Sequence, residues 1–188
     1  MATSNLEAPA ATTRQVISLP IDDGLTCLRG LSPQRLRFEL EYALERGSTA
    51  NSFLFDAGTN GEGQRQSALL VHPPGKAYEK AFLPALAGLL PAETTALKVV
   101  VGHVNPNRVA LLRDLAGLFP ELELIASNAG AKLLGELWSQ RKPAAPGQES
   151  EQPAIPELPA IQVIRQEQTL PLSHRHQLQL VPAPTPRW

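Results

Sequence analysis

The sequence predicts an α+β fold, a mixed β-sheet with flanking helices built as one compact unit, and three observations carry that expectation. The first is size and composition: 188 residues with 43% hydrophobic and 19% charged side chains bury one sizeable core but are short for two ordinary domains. The second is the run of short apolar, alternating segments through the N-terminal third, which marks half-buried strands. The third is a change of period from residue 78 onward, where apolar runs alternate with stretches of helical spacing, as in layered α and β structure.

Residues 1–14 are small and polar, with too little apolar surface to offset the entropy of ordering them, and are expected to be a disordered tail. Residues 15–19 and 25–29 read as strands joined into a hairpin at Asp22-Asp23-Gly24, the glycine supplying the positive φ of a tight turn. Residues 38–43 set Phe38, Leu40 and Tyr42 or Ala43 against Glu39 and Glu41, and residues 52–56 hold Phe53-Leu54-Phe55; both read as strands. Residues 59–66 are rich in turn formers and are expected to be an exposed hairpin loop ahead of a strand at 68–71. Residues 78–90 place Ala81, Phe82, Ala85, Leu86 and Leu89 on one helical face, with Pro84 marking a kink or a late start. An apolar run at 97–101 suits a strand buried on both faces, followed by helices at 109–118 and 129–138 with a strand at 123–126 between them. Five prolines at 141–160 mark a surface linker or insertion, after which residues 161–165 and 177–181 read as two last strands. No closing helix follows them, and the domain reads as interrupted.

A net charge of -1 gives no electrostatic reason to expect nucleic acid or an anionic membrane as partner. Cys27 is the single cysteine, which excludes a disulfide framework and suits a reducing, cytoplasmic setting. The N-terminus has neither a secretory pattern nor a stretch long enough to span a bilayer, so membrane insertion is not expected.

The sharpest local feature is Gly102-His103-Val104-Asn105-Pro106-Asn107-Arg108, between the apolar run and the next helix. Polar clusters at the carboxyl end of a buried strand are where α/β layers commonly place sites. The same residues also suit a turn and a helix N-cap: Asn105 and Asn107 are good capping types, and Pro106 fixes φ at a helix start. His174 and His176 stand two apart, on one face if the segment is a strand, where two imidazoles could bind a metal, with solvent-exposed histidines as the simpler use. His72 reads as an ordinary strand-end residue, and Cys27 as buried and inert.

This loop resembles the metal motif of the metallo-β-lactamase superfamily, and of flavodiiron proteins in particular, where it reads His-x-Glu-x-Asp followed by His. His103 matches the first position. Asn105 stands at the Glu position, Asn107 at the Asp position and Arg108 at the second His. The wording is similar to the variant in one subset of the diflavin flavodiiron proteins of cyanobacteria. Leu28-Arg29-Gly30-Leu31, Phe38-Glu39-Leu40-Glu41-Tyr42, residues 46–52, Pro73-Pro74-Gly75 and Pro184-Thr185-Pro186-Arg187-Trp188 resemble the same subset in the same order. Arg187 falls at a further family histidine.

The resemblance implies an αββα-type metallo-β-lactamase-like fold, of which residues 15–188 would be the N-terminal part, with the Pro-rich insertion at 141–160. It implies an NAD(P)H:oxygen oxidoreductase using FMN and FAD on later flavodoxin-like and flavin-reductase-like regions, and oxygen reduction to water at an iron pair. The substitutions speak against iron here, because amides replace carboxylates and Arg108 and Arg187 bring positive charge to where a cation would sit. His103 is then the one potential metal ligand left. An arginine in such a pocket holds an anion or pairs with an acidic residue. No cofactor is therefore expected in this stretch, and little or no activity alone. A homo- or hetero-oligomer with a metal-retaining paralogue is the implied partnership. Two other classes remain open: a metal-free interaction or scaffold subunit, and a stand-alone metallo-hydrolase, against which the lost ligands argue directly.

Overall fold

The computed structural model describes residues 14–33, 37–38, 42–43, 47–56, 58, 67–140, 154–172 and 176–181. β1 (Gln15–Asp22) runs antiparallel to β2 (Leu25–Ser32). The turn holds Gly24 at φ 74, where a Cβ would come to 3.0 Å from the Asp56 carbonyl oxygen, so glycine is required there. Residues 37–43 depart from the expected single strand. β3 (Arg37–Phe38) and β4 (Tyr42–Ala43) face each other antiparallel, Phe38 opposite Tyr42. Two short paired strands thus stand where the alternation resembles one, and residues 39–41 between them lie outside the described residues.

β5 (Ser48–Phe55) pairs with β2 along its whole length and with β6 (Ala68–Val71) at its end, both antiparallel. The loop expected at 59–66 lies outside the described residues. A 3₁₀ turn at Lys76–Tyr78 leads into α1 (Glu79–Ala87), which buries Phe82 and Leu86 and leaves Pro84 exposed. β7 (Ala96–Val100), α2 (Pro106–Leu118), β8 (Glu121–Ser127), α3 (Asn128–Trp138) and β9 (Ala160–Ile164) follow. The seven-stranded sheet has the order β1-β2-β5-β6-β7-β8-β9, and its last four strands are parallel.

That order dictates where the helices lie. Each crossover from β6 to β9 adds the next strand in the same direction, and right-handed crossovers then place every connecting helix on one face. The core agrees: Phe82 and Leu86 of α1, Val109, Leu112 and Leu115 of α2 and Leu134 and Trp138 of α3 share one cluster with Leu70, Leu97, Val99 and Leu124 of the sheet. Full burial of such side chains contributes roughly 1.5–3 kcal/mol each. β7 is correspondingly less uniform than expected: Leu97 and Val99 are buried, whereas Ala96, Lys98 and Val100 on the opposite face are half-buried.

The opposite face has a smaller cluster of Leu69, Ile125 and Ile164. It is covered in part by Leu170, Leu172, Leu178 and Leu180 of a hairpin, β10 (Gln168–Pro171) with β11 (Gln177–Leu180). β10 was not legible, because Gln-Thr-Leu-Pro carries one large apolar side chain and ends in proline. Ile17 at 40%, Ile21 at 58% and Phe53 at 38% exposure leave apolar surface on this sheet.

Past residues 141–153, which lie outside the described residues, the chain returns to the sheet. Ile155 packs on the main core, and the Trp138 indole donates to the Pro156 carbonyl at 2.8 Å. The Arg113 guanidinium donates to the carbonyls of Leu137, Trp138 and Gln140, at the end of α3 and just beyond it. Among the described residues no helix is long and apolar enough to cross a membrane.

Candidate functional site

The loop after β7 is held from both sides. The Val101 amide continues the ladder by donating to the Ile125 carbonyl at 2.9 Å, and Gly102 and His103 then turn outward, both exposed. Asn105 adopts extended backbone and accepts the Arg108 N–H on its side-chain oxygen at 2.9 Å, with Pro106 opening α2. This is an N-cap, and it engages the Asn105 side-chain oxygen in holding the first turn of α2. Asn107 is exposed on the first turn of α2. A Cβ on Gly75 would lie 3.4 Å from the Asn107 Cβ, so the helix start sits directly against the loop after β6.

Arg108 ties the two loops together. Its Nε donates to the Pro73 carbonyl at 2.7 Å, its Nη1 to the His103 carbonyl at 2.6 Å, and its Nη2 lies 3.2 Å from His72 Nε2. A guanidinium only donates, so Nε2 is the acceptor and the His72 ring is neutral with its proton on Nδ1. Burial lowers the Arg108 pKa from its ordinary value, and a guanidinium still remains charged at neutral pH.

His72 is the residue that sequence reasoning passed over. It has φ 58, the single positive φ at a described residue other than glycine, in a region that costs an L-residue about 1–2 kcal/mol. The surroundings enforce it: its N–H donates to the Val100 carbonyl at 2.9 Å, and its carbonyl accepts from the fully buried Ser52 hydroxyl at 2.9 Å. The ring lies over Gly102, where a Cβ would sit 3.4 Å from His72 Nδ1, an ordinary van der Waals contact. Burial is the first cause that lowers the His72 pKa, followed by the positive charge of Arg108 and then His103. A strand-end histidine carries no mark of this in sequence.

These residues do not fit a metal centre. The Asn105 oxygen is used as a cap, His103 contributes its carbonyl to Arg108, and the guanidinium stands among the acceptors. Among the described residues no three side chains of His, Cys, Asp or Glu come together in a way that holds a metal ion. Arg187 and His174 lie outside the described residues. Arg108 pairs with two main-chain carbonyls and an imidazole. His176 is not solvent-exposed as expected: it is half-buried, with Nε2 3.6 Å from an Asp22 carboxylate oxygen and its ring edge-on to Phe55 at 5.8 Å. Cys27 is buried in β2.

The sheet with its helices on one face and the loop after β7 define a metallo-β-lactamase-like domain of flavodiiron type. The flavodiiron core of Flv1 from Synechocystis matches with a TM-score of 0.70 and 31% identity over 90% of this chain and 36% of that one. A fragment (1–254) of diflavin flavoprotein A 5 from Nostoc matches with a TM-score of 0.73 and 30% identity over 94% of this chain and 60% of that one. A flavoprotein of Thermotoga maritima, 19% identical with a TM-score of 0.62, shares the fold. No family model matches the sequence. Diflavin flavoprotein A 6 of Nostoc is 39% identical over 93% of this chain, and diflavin flavoprotein A 4 of the same organism 36% identical over 96%. The chain belongs to the cyanobacterial diflavin flavodiiron family. It spans about a quarter of the length of the curated relatives it matches, 26% and 27% of the two from Nostoc.

Proposed function

We propose that this chain is the front part of the lactamase-like domain of a diflavin NAD(P)H:oxygen oxidoreductase, in a form whose metal loop is closed by Arg108 instead of by iron. The observation that carries the proposal is the placement of Arg108: from the loop that resembles the family's ligand motif, its guanidinium bridges the His103 carbonyl to His72 and Pro73 on the loop after β6. Electrons would pass from a nicotinamide cofactor through flavins on flavodoxin-like and flavin-reductase-like regions in the rest of the protein. Within the described residues the chain supplies scaffold, and no redox step is assigned to it. The apolar face opposite the helices supports its being part of a larger unit, because in an αββα sandwich that face meets a second sheet. A metal-retaining paralogue is the proposed partner for oxygen reduction, and the setting is cytoplasmic.

The test is NAD(P)H-dependent oxygen uptake, measured together with the flavin spectrum. The chain alone is expected to show neither flavin absorbance nor uptake, and a whole protein carrying it to show bound flavin and uptake that rises when a metal-retaining paralogue is added. Turnover by the chain alone, or a whole protein free of flavin, would reject the proposal.

A further inference from the structure

The acceptors around Arg108 belong to three separate residues and point to one position. His72 Nε2, the Pro73 carbonyl oxygen and the His103 carbonyl oxygen all lie within 3.2 Å of guanidinium nitrogens. None carries a formal charge, and together they present only lone pairs. Two of them sit on residues whose backbone is fixed independently of the arginine: His72 is pinned at positive φ by Val100 and Ser52, and Pro73 follows it directly. The third lies one residue after Gly102, on a loop anchored by the Asn105 cap. A set of convergent acceptors without a donor among them is the inverse of an anion site, since leaving them unpaired costs the desolvation of each group.

We infer that His72, Pro73 and His103 form a preformed cage for a planar organic cation, with the Arg108 guanidinium as its resident ligand. Three donors of the fork are matched in directions that a spherical ion does not need. The cage is held by backbone pinning rather than by the arginine, so it outlasts removal of the side chain and takes up a small free guanidinium in its place. The inference stands on this geometry alone and is independent of the electron-transfer proposal.

The experiment is rescue of Arg108→Ala by guanidinium chloride in thermal melts of the whole chain, with sodium chloride and urea as controls. A ligand bound by the folded state alone stabilises with the logarithm of its concentration, so at tenfold its Kd the variant is expected to gain about 3–6 °C in Tm. Wild type, whose cage is filled, gains nothing. Equal or greater destabilisation of the variant, or the same gain with sodium chloride or urea, overturns the inference. Should Arg108→Ala not fold, hydrogen exchange at the wild-type arginine Nε–H groups decides: Arg108 is expected to exchange at least about tenfold more slowly than exposed Arg165, and equal rates overturn the inference.

Discussion

The Nη2 of Arg108 lies 3.2 Å from the Nε2 of His72 across 36 residues of sequence, so the first turn of α2 and the end of β6 share one hydrogen-bond network. Replacing Arg108 by Met keeps much of the stem but orphans the Pro73 and His103 carbonyls. It is expected to cost about 1–3 kcal/mol in urea unfolding. Because the two side chains act as a pair, Arg108→Met combined with His72→Asn is expected to cost less than the sum of the single changes, with a coupling of about 0.5–3 kcal/mol. Strict additivity would mean that the contact carries no energy.

Stability is expected to fall as the solution is acidified past neutrality. Burial and the neighbouring Arg108 lower the His72 pKa in the folded chain below its ordinary value of 6.5. Between 6.5 and the lower folded value, the unfolded chain therefore binds a proton that the folded chain refuses. The stability is fully present above 6.5 and is lost as pH drops through that window. His72→Asn removes the titrating group and suits a positive φ. Urea midpoints across the acidic range should show a flatter profile in the variant; an unchanged slope would assign the effect to other groups.

Much of the scaffold was legible, and the reasons are local. Gly24 and the alternation around it mark the first hairpin, and the apolar faces of α1 and α3 repeat at helical spacing; for α2 the spacing begins at residue 109, inside a helix that starts at Pro106 behind the Asn105 cap. The site was half legible. The sequence singles out the loop from His103 to Arg108, but His72 is defined by a backbone angle and by a partner on a distant element, and neither has a sequence period. The reversal between Phe38 and Tyr42, and the strand β10, were missed because two- to four-residue elements are too short for periodicity to separate from a loop.

Arg113 holds the end of α3 through three carbonyls. Arg113→Met is expected to lower stability by about 1–3 kcal/mol, because the acceptors around Trp138 lose a charged donor. Amide exchange in the last turn of α3 should rise more than exchange in α2. By contrast, Lys76→Met, which breaks the half-exposed pairs with Asp114 and Glu79, is expected to change stability by about 1 kcal/mol or less.

Gly30 sits under the Tyr78 ring, where an added Cβ would come 2.7 Å from Cε1. Gly30→Ala is expected to cost about 1–3 kcal/mol through overpacking. Tyr78→Leu in the same chain should recover part of the loss, as read from urea midpoints. No recovery would place the strain in the strand backbone instead.

The exposed apolar residues Ile17, Ile21 and Phe53 predict self-association of the isolated chain, since such surface on one face of a sheet is a contact liability. Ile17→Lys with Ile21→Lys should lower the apparent mass in sedimentation at high concentration while leaving the urea midpoint within about 0.5 kcal/mol. A wild-type chain that stays monomeric across the range would count against the face's need of a cover.

Elemental analysis after reconstitution bears most directly on the claim that Arg108 has taken the place of a metal. The whole chain is incubated with ferrous iron or zinc, desalted and assayed, beside His103→Ala. Far fewer than about one ion per chain is predicted for both, because Asn105 caps α2 and the guanidinium fills the space between the loops. Retention of about one or more ions per chain by wild type, lost in His103→Ala, would contradict it.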